Sequence, residues 1–248
     1  MLLRLMLFDL WGTLFRHEGP GEDHGRGALR VALAQEALAA AGHIYDAVTI
    51  EEAFERAGEE LGSMHAKGRD IGAEERTVLH VRHLDPRLGE QLDAAAWDRL
   101  HKAVLATALH ARPLPMPGGV EALRAIKALG VPIGLISNAG ATPGSVLREI
   151  MDGYGLLAHF DHTVFSDEVE LSKPAPAIFE LSLDAFGVSA DAAAFVGDQP
   201  LLDVLGPQSA GIRAIQLGHL REDGITPDAR IASLDELVPA LRKLGMID

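Results

Sequence analysis

Short, mainly apolar runs recur along the chain, and each is followed by polar or turn residues and then by apolar residues at helical spacing. A strand buried on both faces of a parallel sheet has this continuous apolar character. Five runs predict strands, over residues 3–8, 131–137, 162–166, 193–197 and 213–217. Because these strands alternate with helical patterns, the predicted fold class is α/β, with a doubly wound parallel sheet covered by helices on both faces.

The stretch between the first two predicted strands differs from the rest of the chain. Residues 16–112 contain at least four helical patterns and no strand pattern. A segment of this length exceeds an ordinary loop, so we expect it to fold as a unit. We therefore predict two domains, a core of residues 1–15 and 113–248 and a second, smaller all-helical cap domain of residues 16–112, here called the helical insertion.

Composition and charge narrow the functional classes. The 248 residues are 48% apolar and carry a formal net charge of −14, which argues against nucleic acids and anionic membrane surfaces as partners. No run approaches the roughly 18 apolar residues of a membrane-spanning helix. The absence of cysteine excludes disulfides and thiolate chemistry. These features predict a cytoplasmic protein and leave its oligomeric state open between monomer and homodimer.

Residues with reactive side chains follow the predicted strands. They are Asp9, the pair Ser137 and Asn138, Lys173, and the acids Asp198 and Asp203. In a parallel sheet such positions meet at one edge, where ligands bind. The Asp9 carboxylate is a candidate nucleophile toward phosphorus or carbon. Together with the two downstream acids it offers an all-oxygen site suited to Mg²⁺, while hydroxyl and ammonium groups stabilise phosphoryl oxygens.

Four motifs, in order along the chain, carry a family resemblance. They are FDLWGTL, which contains Asp9, LISNAG with Ser137, SKPAPAIF with Lys173, and VGDQPLLD with both downstream acids. In this combination the core resembles the haloacid dehalogenase-like hydrolase superfamily. The helical insertion resembles the cap of the subfamily in which the cap follows the first motif. The resemblance implies a Rossmann-like core with the active site between core and cap.

The resemblance also implies roles for individual residues. Asp9 is implied as the nucleophile, Ser137 as a residue that binds the transferring group, and Lys173 as the cation that steadies the charge of nucleophile and substrate. The implied cofactor is Mg²⁺. Its implied ligands share oxygen donors and are Asp9, the backbone carbonyl of Trp11, Asp198 and Asp203.

Three more residues are implied to lie around the substrate: Trp11, Thr13 and Asn138. Thr13 is expected to buttress the turn that follows Asp9. Asn138 is expected to contact the substrate or its own loop. The implied partner is a small phosphorylated molecule.

Trp11 departs from the family pattern. Phosphatases of the family usually carry there a second aspartate that protonates the leaving group, whereas an indole offers only an N–H donor and an apolar face. Three interpretations stay open. In the first, the chain is a Mg²⁺-dependent phosphatase or phosphotransferase for activated phosphates, and the missing acid slows its turnover. In the second, it is a 2-haloacid dehalogenase. In the third, it is a catalytically weak protein that binds a phosphorylated ligand or a partner. We adopt the first as the hypothesis because both downstream acids are retained.

Polar residues of the helical insertion allow two interpretations. Arg76, His80 and His83 recur at helical spacing and share a face that His65 and Arg69 extend. Such a face either meets an anionic substrate or lies in solvent, and we favour the solvated face.

The segment that enters the helical insertion contains His17, Asp23 and His24. These residue types suggest a metal site. Because the rest of a ligand set is missing, we favour an exposed loop.

Overall fold

The structure is a computed structural model that describes residues 2–16, 25–222 and 224–248. Its strands are β1 (Leu5–Phe8), β2 (Ile133–Ser137), β3 (His162–Phe165), β4 (Ala193–Gly197), β5 (Arg213–Leu217) and β6 (Ala229–Ile231). They form one parallel sheet in the order β3-β2-β1-β4-β5-β6. The chain begins at the centre of the sheet and adds strands on both sides. The predicted doubly wound α/β fold is therefore confirmed.

The predicted strands are all present, and their ends lie within two residues of the predicted ones. The additional strand β6 lies at one edge of the sheet. Of its three residues, ARI, only Ile231 is buried, and the three form no apolar run. A short edge strand of this kind gives no signal in the hydrophobic pattern, and we did not predict it.

Strand β1 shows why the predicted runs are continuously apolar. Leu5 and Leu7 belong to one hydrophobic cluster, while Met6 and Phe8 belong to another. Successive side chains of a strand point to opposite faces, so the two clusters cover the two faces of the sheet. All four side chains are fully buried. Asp9 follows directly, at the centre of the carboxyl edge.

The described part of the helical insertion folds into helices. They are α1 (Arg26–Ala40), α2 (Ala47–His65), α3 (Ala73–Leu84), α4 (Leu88–Gln91), α5 (Ala94–Leu105) and α6 (Thr107–His110). Helix α1 packs on α5, and α2 packs on α3, around a hydrophobic cluster made only of residues from this segment. The domain boundaries after residues 15 and 112 stay a prediction. His17, Asp23 and His24 lie outside the described residues.

The remaining helices flank the sheet. They are α7 (Gly119–Ala128), α8 (Gly144–Gly153), α9 (Ser166–Val169), α10 (Pro176–Phe186), α11 (Gly206–Ser209) and α12 (Leu237–Lys243), with 3₁₀ turns at Leu157–His159, Ala190–Ala192 and Leu234–Glu236 and a π-helical turn at Pro200–Leu205. Helices α7, α8 and α12 cover one face, and α10 covers the other. Within the described ranges, no helix combines the length and apolar character needed to cross a bilayer.

Two residues that we assigned to a solvated or anion-binding face are buried instead. Arg76 and His80 on α3 are 1% and 6% exposed. The prediction was wrong because this side of α3 packs into the protein, where the Asp70 carboxylate lies 2.6 Å from Arg76 Nη2. His83 is closer to the expected position, since its half-buried ring pairs with Glu60 at 2.8 Å.

The burial of His80 makes stability depend on pH. Its Nδ1–H donates to the Arg76 carbonyl at 2.7 Å, and burial lowers the pKa of the imidazole to about 4. In the unfolded chain the ordinary pKa is near 6.5. The unfolded state therefore binds the proton more tightly, and this contribution to stability is lost as the pH falls from above 6.5 through 4.

We expect the free energy of unfolding to decrease less between pH 7 and pH 4 in His80→Gln than in the wild type. The difference should approach about 3 kcal/mol, the free-energy equivalent of the pKa shift. Urea unfolding across this pH range measures it. His110→Gln, at an exposed position of the helical insertion, is the matched control. Equal pH dependence in wild type and His80→Gln would contradict the expectation.

Candidate active site

The predicted nucleophile stands at the carboxyl end of the central strand. Asp9 is 4% exposed, and its backbone N–H donates to the Val196 carbonyl at 2.9 Å. Thr13 Oγ1 donates to Asp9 Oδ2 at 3.0 Å across the turn that follows. Because Thr13 is fully buried, this bond orients the Asp9 carboxylate. This hydrogen bond spans the turn that we expect Thr13 to buttress, and the role itself stays a prediction.

Lys173 joins two carboxylates. Its Nζ lies 2.6 Å from Asp9 Oδ1 and 2.6 Å from Asp203 Oδ1. The lysine is 1% exposed, and its Nζ lies 5.2 Å from the centre of the Phe195 ring. A cation between two carboxylates offsets their mutual repulsion, which is strong in a site shielded from water. Asp9, Lys173 and Asp203 are called the buried triad below.

Asp203 reaches the triad from the π-helical turn Pro200–Leu205. Its Oδ2 accepts a hydrogen bond from the Gln199 N–H at 2.9 Å. A Cβ at Gly197 would lie only 2.4 Å from Asp203 Cγ. Glycine is therefore required at the end of β4, because any side chain there would displace Asp203.

Three acids are placed to hold a metal ion. Asp9, Asp198 and Asp203 each offer a carboxylate oxygen, and these oxygens lie within 4.8 Å of one another. Gln199 Nε2 donates to Asp198 Oδ2 at 2.9 Å and so orients that carboxylate. Hard oxygen donors of this kind fit Mg²⁺. The part of the Trp11 carbonyl in the ligand set stays a prediction.

Burial dominates the electrostatics of the triad. It raises the pKa of Asp9 to about 7, an effect that Lys173 opposes and Asp203 and Asp198 reinforce. Burial likewise raises the pKa of Asp203 against the influence of Lys173. Burial disfavours the charged form of Lys173, but the two carboxylates outweigh it and raise the lysine pKa. The lysine therefore stays charged, and a further cation at the carboxylates would favour their ionised forms.

A cavity of about 420 Å³ opens onto the triad. Its lining comprises Asp9, Trp11, Arg26, Arg30, Asn138, Ala139, Gly140, Ala141, Thr142, Lys173, Gln199, Leu202 and Asp203. Residues 138–142 form one wall and are called the 138–142 loop below. Arg26 and Arg30 bring positive charge from α1, one helical turn apart. In a chain of net charge −14, this is a local setting for an anionic ligand.

Trp11 forms another wall of the cavity. Its ring is partly buried and lies 5.9 Å from the Phe15 ring, between ring centres. The Arg26 guanidinium lies 5.8 Å from the centre of the indole. Where the family resemblance leads us to expect a second aspartate, the wall of this cavity is a flat aromatic surface that offers no acid or base.

The side chain of Asn138 forms hydrogen bonds with the backbone of Lys173. Its Nδ2 donates to the Lys173 carbonyl at 3.0 Å, and its Oδ1 accepts from the Lys173 N–H at 2.9 Å. Of the two contacts expected for Asn138, the structure shows the loop contact, which holds the backbone that carries Lys173. Ser137 is fully buried, with Oγ 3.4 Å from the Asn138 carbonyl oxygen. Neither Ser137 nor Thr13 lines the cavity, so their roles toward substrate stay predictions.

Arg26, Arg30 and Gln199 line the site but were not among the predicted residues. The four-residue spacing of the two arginines is visible in the sequence. Which side of α1 faces the core depends on how the helical insertion packs, and the spacing does not determine that. Gln199 is adjacent to Asp198, but a neutral amide beside a motif acid carries no chemical signal of its own.

A family model described as haloacid dehalogenase-like hydrolase matches residues 3–211. The match extends over most of the chain and includes all four motifs. With the parallel sheet and the carboxylates at its edge, it establishes the class. The chain belongs to the haloacid dehalogenase-like hydrolase family.

Curated relatives match parts of the chain. The haloacid dehalogenase-like hydrolase domain-containing protein 3 of Danio rerio is 38% identical over 126 residues, which are 48% of this chain and 50% of that protein. The phosphoserine phosphatase of Thermus thermophilus is 43% identical over 93 residues, 36% of this chain and 37% of that protein. The chain thus spans about half or less of the length of these two relatives.

A solved structure resembles the whole chain. The 2-haloacid dehalogenase from Pseudomonas syringae pv. tomato has a TM-score of 0.72 and 24% sequence identity, over 98% of this chain and 99% of that one. At this identity the likeness shows a common fold.

Proposed function

We propose that the chain is a Mg²⁺-dependent phosphatase or phosphotransferase that acts through an aspartyl-phosphate on Asp9. The observation that carries the proposal is the approach of Asp9, Asp198 and Asp203 within 4.8 Å of one another. A nucleophilic carboxylate does not need two further carboxylates beside it, whereas a bound cation would use them as ligands. The proposed substrate is a small phosphorylated molecule, whose negative charge suits Arg26 and Arg30 at the cavity.

The reaction proceeds in two displacements. A carboxylate oxygen of Asp9 attacks phosphorus, the new P–O bond forms, and the bond to the leaving oxygen breaks with its electron pair on the leaving group. Lys173 stabilises the charge of the nucleophile and of the phosphoryl oxygens. Water then attacks phosphorus, phosphate departs and the Asp9 carboxylate is regenerated. Mg²⁺, when bound, neutralises charge on the transferring phosphoryl group.

Trp11 limits which phosphates react well. The leaving group must depart without a proton from residue 11, and loss of a general acid costs about 100-fold to 10,000-fold in rate. The penalty is smallest for acyl, enol and aryl phosphates, whose leaving groups are stable as anions. We therefore propose activated phosphates as substrates, with transfer to an acceptor competing with slow hydrolysis.

We expect Trp11→Asp to increase the rate of hydrolysis of simple alkyl phosphates by about 100-fold or more, because it places an acid in the cavity wall. Steady-state rates with an alkyl phosphate and with acetyl phosphate measure the effect, which should be larger for the alkyl ester. Trp11→Asn, which has the same size but no acid, is the matched control. Equal rates in Trp11→Asp and Trp11→Asn, with both variants folded, would contradict this role of Trp11.

The second candidate function is 2-haloacid dehalogenation. The aromatic wall at Trp11 favours it, because a halide leaves carbon without needing a proton. In that reaction Asp9 would attack carbon and form an ester. The assembled acids Asp198 and Asp203 would then have no cation to hold, and for this reason we place the phosphoryl reaction first.

A Mg²⁺ titration distinguishes the two functions. Phosphate release from p-nitrophenyl phosphate and acetyl phosphate is followed with increasing Mg²⁺, and halide release from 2-chloropropionate is followed in parallel. The proposal expects Mg²⁺-dependent phosphate release that is lost in Asp198→Asn. Halide release that needs no metal would instead establish the dehalogenase. Absence of both reactions would favour a ligand-binding protein.

A further inference from the structure

The helical insertion meets the core beside Lys173. The Asp70 N–H donates to the Glu170 carbonyl at 3.1 Å, and the Ser172 N–H donates to the Gly68 carbonyl at 3.1 Å. A Cβ at Gly68 would lie 2.5 Å from Ala175 Cβ, and Gly68 has a φ of +72°. Only glycine fits this close approach. The short pairing thus fixes the backbone that leads into Lys173.

Asp70 is a buried, charged residue at this contact between the helical insertion and the core. It is 4% exposed, and its Oδ1 accepts from Arg76 Nη2 at 2.6 Å. Its Oδ2 accepts from Ser166 Oγ at 2.5 Å and lies 2.9 Å from His65 Nε2. Burial by itself would raise the pKa of Asp70, but His65, Arg76 and Ser166 together hold it below the ordinary value. Asp70 is therefore ionised and can only accept hydrogen bonds.

Ser166 connects Asp70 to the wall of the cavity through two hydrogen bonds. The serine is fully buried at the start of α9, directly after β3, and its Oγ accepts from the Ala139 N–H at 2.8 Å. A hydroxyl has one hydrogen to donate. Because Asp70 takes that hydrogen, the lone pairs of Ser166 Oγ are left for the Ala139 N–H. The charge on Asp70 thereby fixes the direction of the bond that holds the 138–142 loop.

We propose that Asp70 is a positioning residue for the reaction at Asp9. Through Ser166 it holds the 138–142 loop, a wall of the substrate cavity, and so makes the shape of the cavity depend on the seating of the helical insertion on the core. Neither Asp70 nor Ser166 lines the cavity, so both act through Ala139. The proposal rests on the proposed function and deepens it.

The first test is Ser166→Ala, which removes the hydrogen bonds of Ser166 Oγ with Asp70 and Ala139 but leaves the pair of Asp70 and Arg76 intact. We expect amide hydrogen exchange in the 138–142 loop to accelerate about tenfold, the loss expected for one hydrogen bond. We expect kcat with acetyl phosphate and Mg²⁺ to fall about 10-fold to 100-fold, since small misplacements at a reacting centre have effects of this size. KM should change less than kcat.

The matched control is Ser182→Ala. Ser182 on α10 is also fully buried, and its hydroxyl has no hydrogen-bond partner among the described residues. Its replacement removes the same atom from a similarly buried site without touching the loop. We expect wild-type exchange in the 138–142 loop and wild-type kcat.

A second variant tests Asp70 itself. Asp70→Asn replaces an acceptor by an amide that also donates, so Ser166 Oγ loses its fixed direction, and we expect the same loop to loosen. Its control is Glu60→Gln, because Glu60 also accepts from one arginine and one histidine, Arg82 at 2.7 Å and His83 at 2.8 Å. Asp70→Asn removes the carboxylate charge that pairs with the buried Arg76 and is expected to be less stable. If Asp70→Asn fails to fold, Ser166→Ala decides the test.

Accelerated exchange confined to the 138–142 loop together with a lower kcat would support the proposal. Wild-type exchange in that loop in Ser166→Ala would overturn it. A loosened loop with wild-type kcat would overturn it as well, because the loop position would then not matter for the reaction. If the wild-type protein itself releases no phosphate, the proposed function fails. The comparison of hydrogen exchange still decides whether the hydrogen bonds of Ser166 hold the 138–142 loop.

Discussion

Replacing Asp9 by asparagine is expected to lower the turnover of acetyl phosphate by at least about 10,000-fold, because the atom that forms the covalent bond to phosphorus is lost. Asparagine has nearly the same size and still offers Thr13 an oxygen acceptor. Lys173 keeps its 2.6 Å contact with Asp203. The variant should therefore fold, and single-turnover rates with saturating Mg²⁺ measure the chemical effect directly.

The matched control for this loss is Asp98→Asn. Asp98 lies on α5 and pairs with Lys102 on the exposed surface, at 2.8 Å. It is the same type of residue as Asp9 but does not line the cavity. We expect wild-type turnover in the control. Turnover of Asp9→Asn within about tenfold of the wild type would exclude Asp9 as the covalent nucleophile.

Replacing Lys173 by methionine is expected to reduce the free energy of unfolding by about 3–5 kcal/mol at pH 8, because it leaves two buried carboxylates without their cation. The loss should be smaller at pH 5. With their pKa values raised in the folded state, Asp9 and Asp203 bind protons more tightly when folded, so their repulsion is relieved as the pH falls. Urea unfolding at the two pH values measures both effects.

Lys127→Met is the control, because Lys127 makes an ion pair of the same length. Its Nζ lies 2.6 Å from Asp161 Oδ2, but the two side chains are 34% and 42% exposed. Water screens such a pair, and its loss should cost less than about 1 kcal/mol. Mg²⁺ should restore part of the stability of Lys173→Met by supplying a cation to the acids. Equal losses in the two variants would contradict the electrostatic account of the triad.

Much of the fold was predictable because the sheet is buried on both faces. Mainly apolar runs mark β1 to β5, although β3 begins with His162 and Thr163 and β5 contains Arg213 and Gln216. The polar or turn residue after each run marks the edge where a ligand binds. The edge strand β6 has only three residues, of which only Ile231 is buried, and it lacks this signal. Its place in the sheet depends on pairing with β5, which a local pattern does not encode.

The site was predictable where a residue follows a strand and unpredictable where packing decides. Asp9 and Asp203 meet at Lys173 because parallel strands bring their ends together. Helical spacing put Arg76 and His80 on one face but did not show that this face is buried. Burial depends on contacts with residues far away in the chain, such as the approach of Ser166 to the helical insertion.

The most direct test of the proposed chemistry is to trap the covalent intermediate. The protein is mixed with acetyl phosphate and Mg²⁺, quenched in acid, and examined by intact-mass and peptide mass spectrometry. The proposal expects one phosphoryl group per chain, located on Asp9 and absent from Asp9→Asn. Phosphate release without any modification of Asp9, or an ester on Asp9 formed from 2-chloropropionate in the absence of metal, would contradict it.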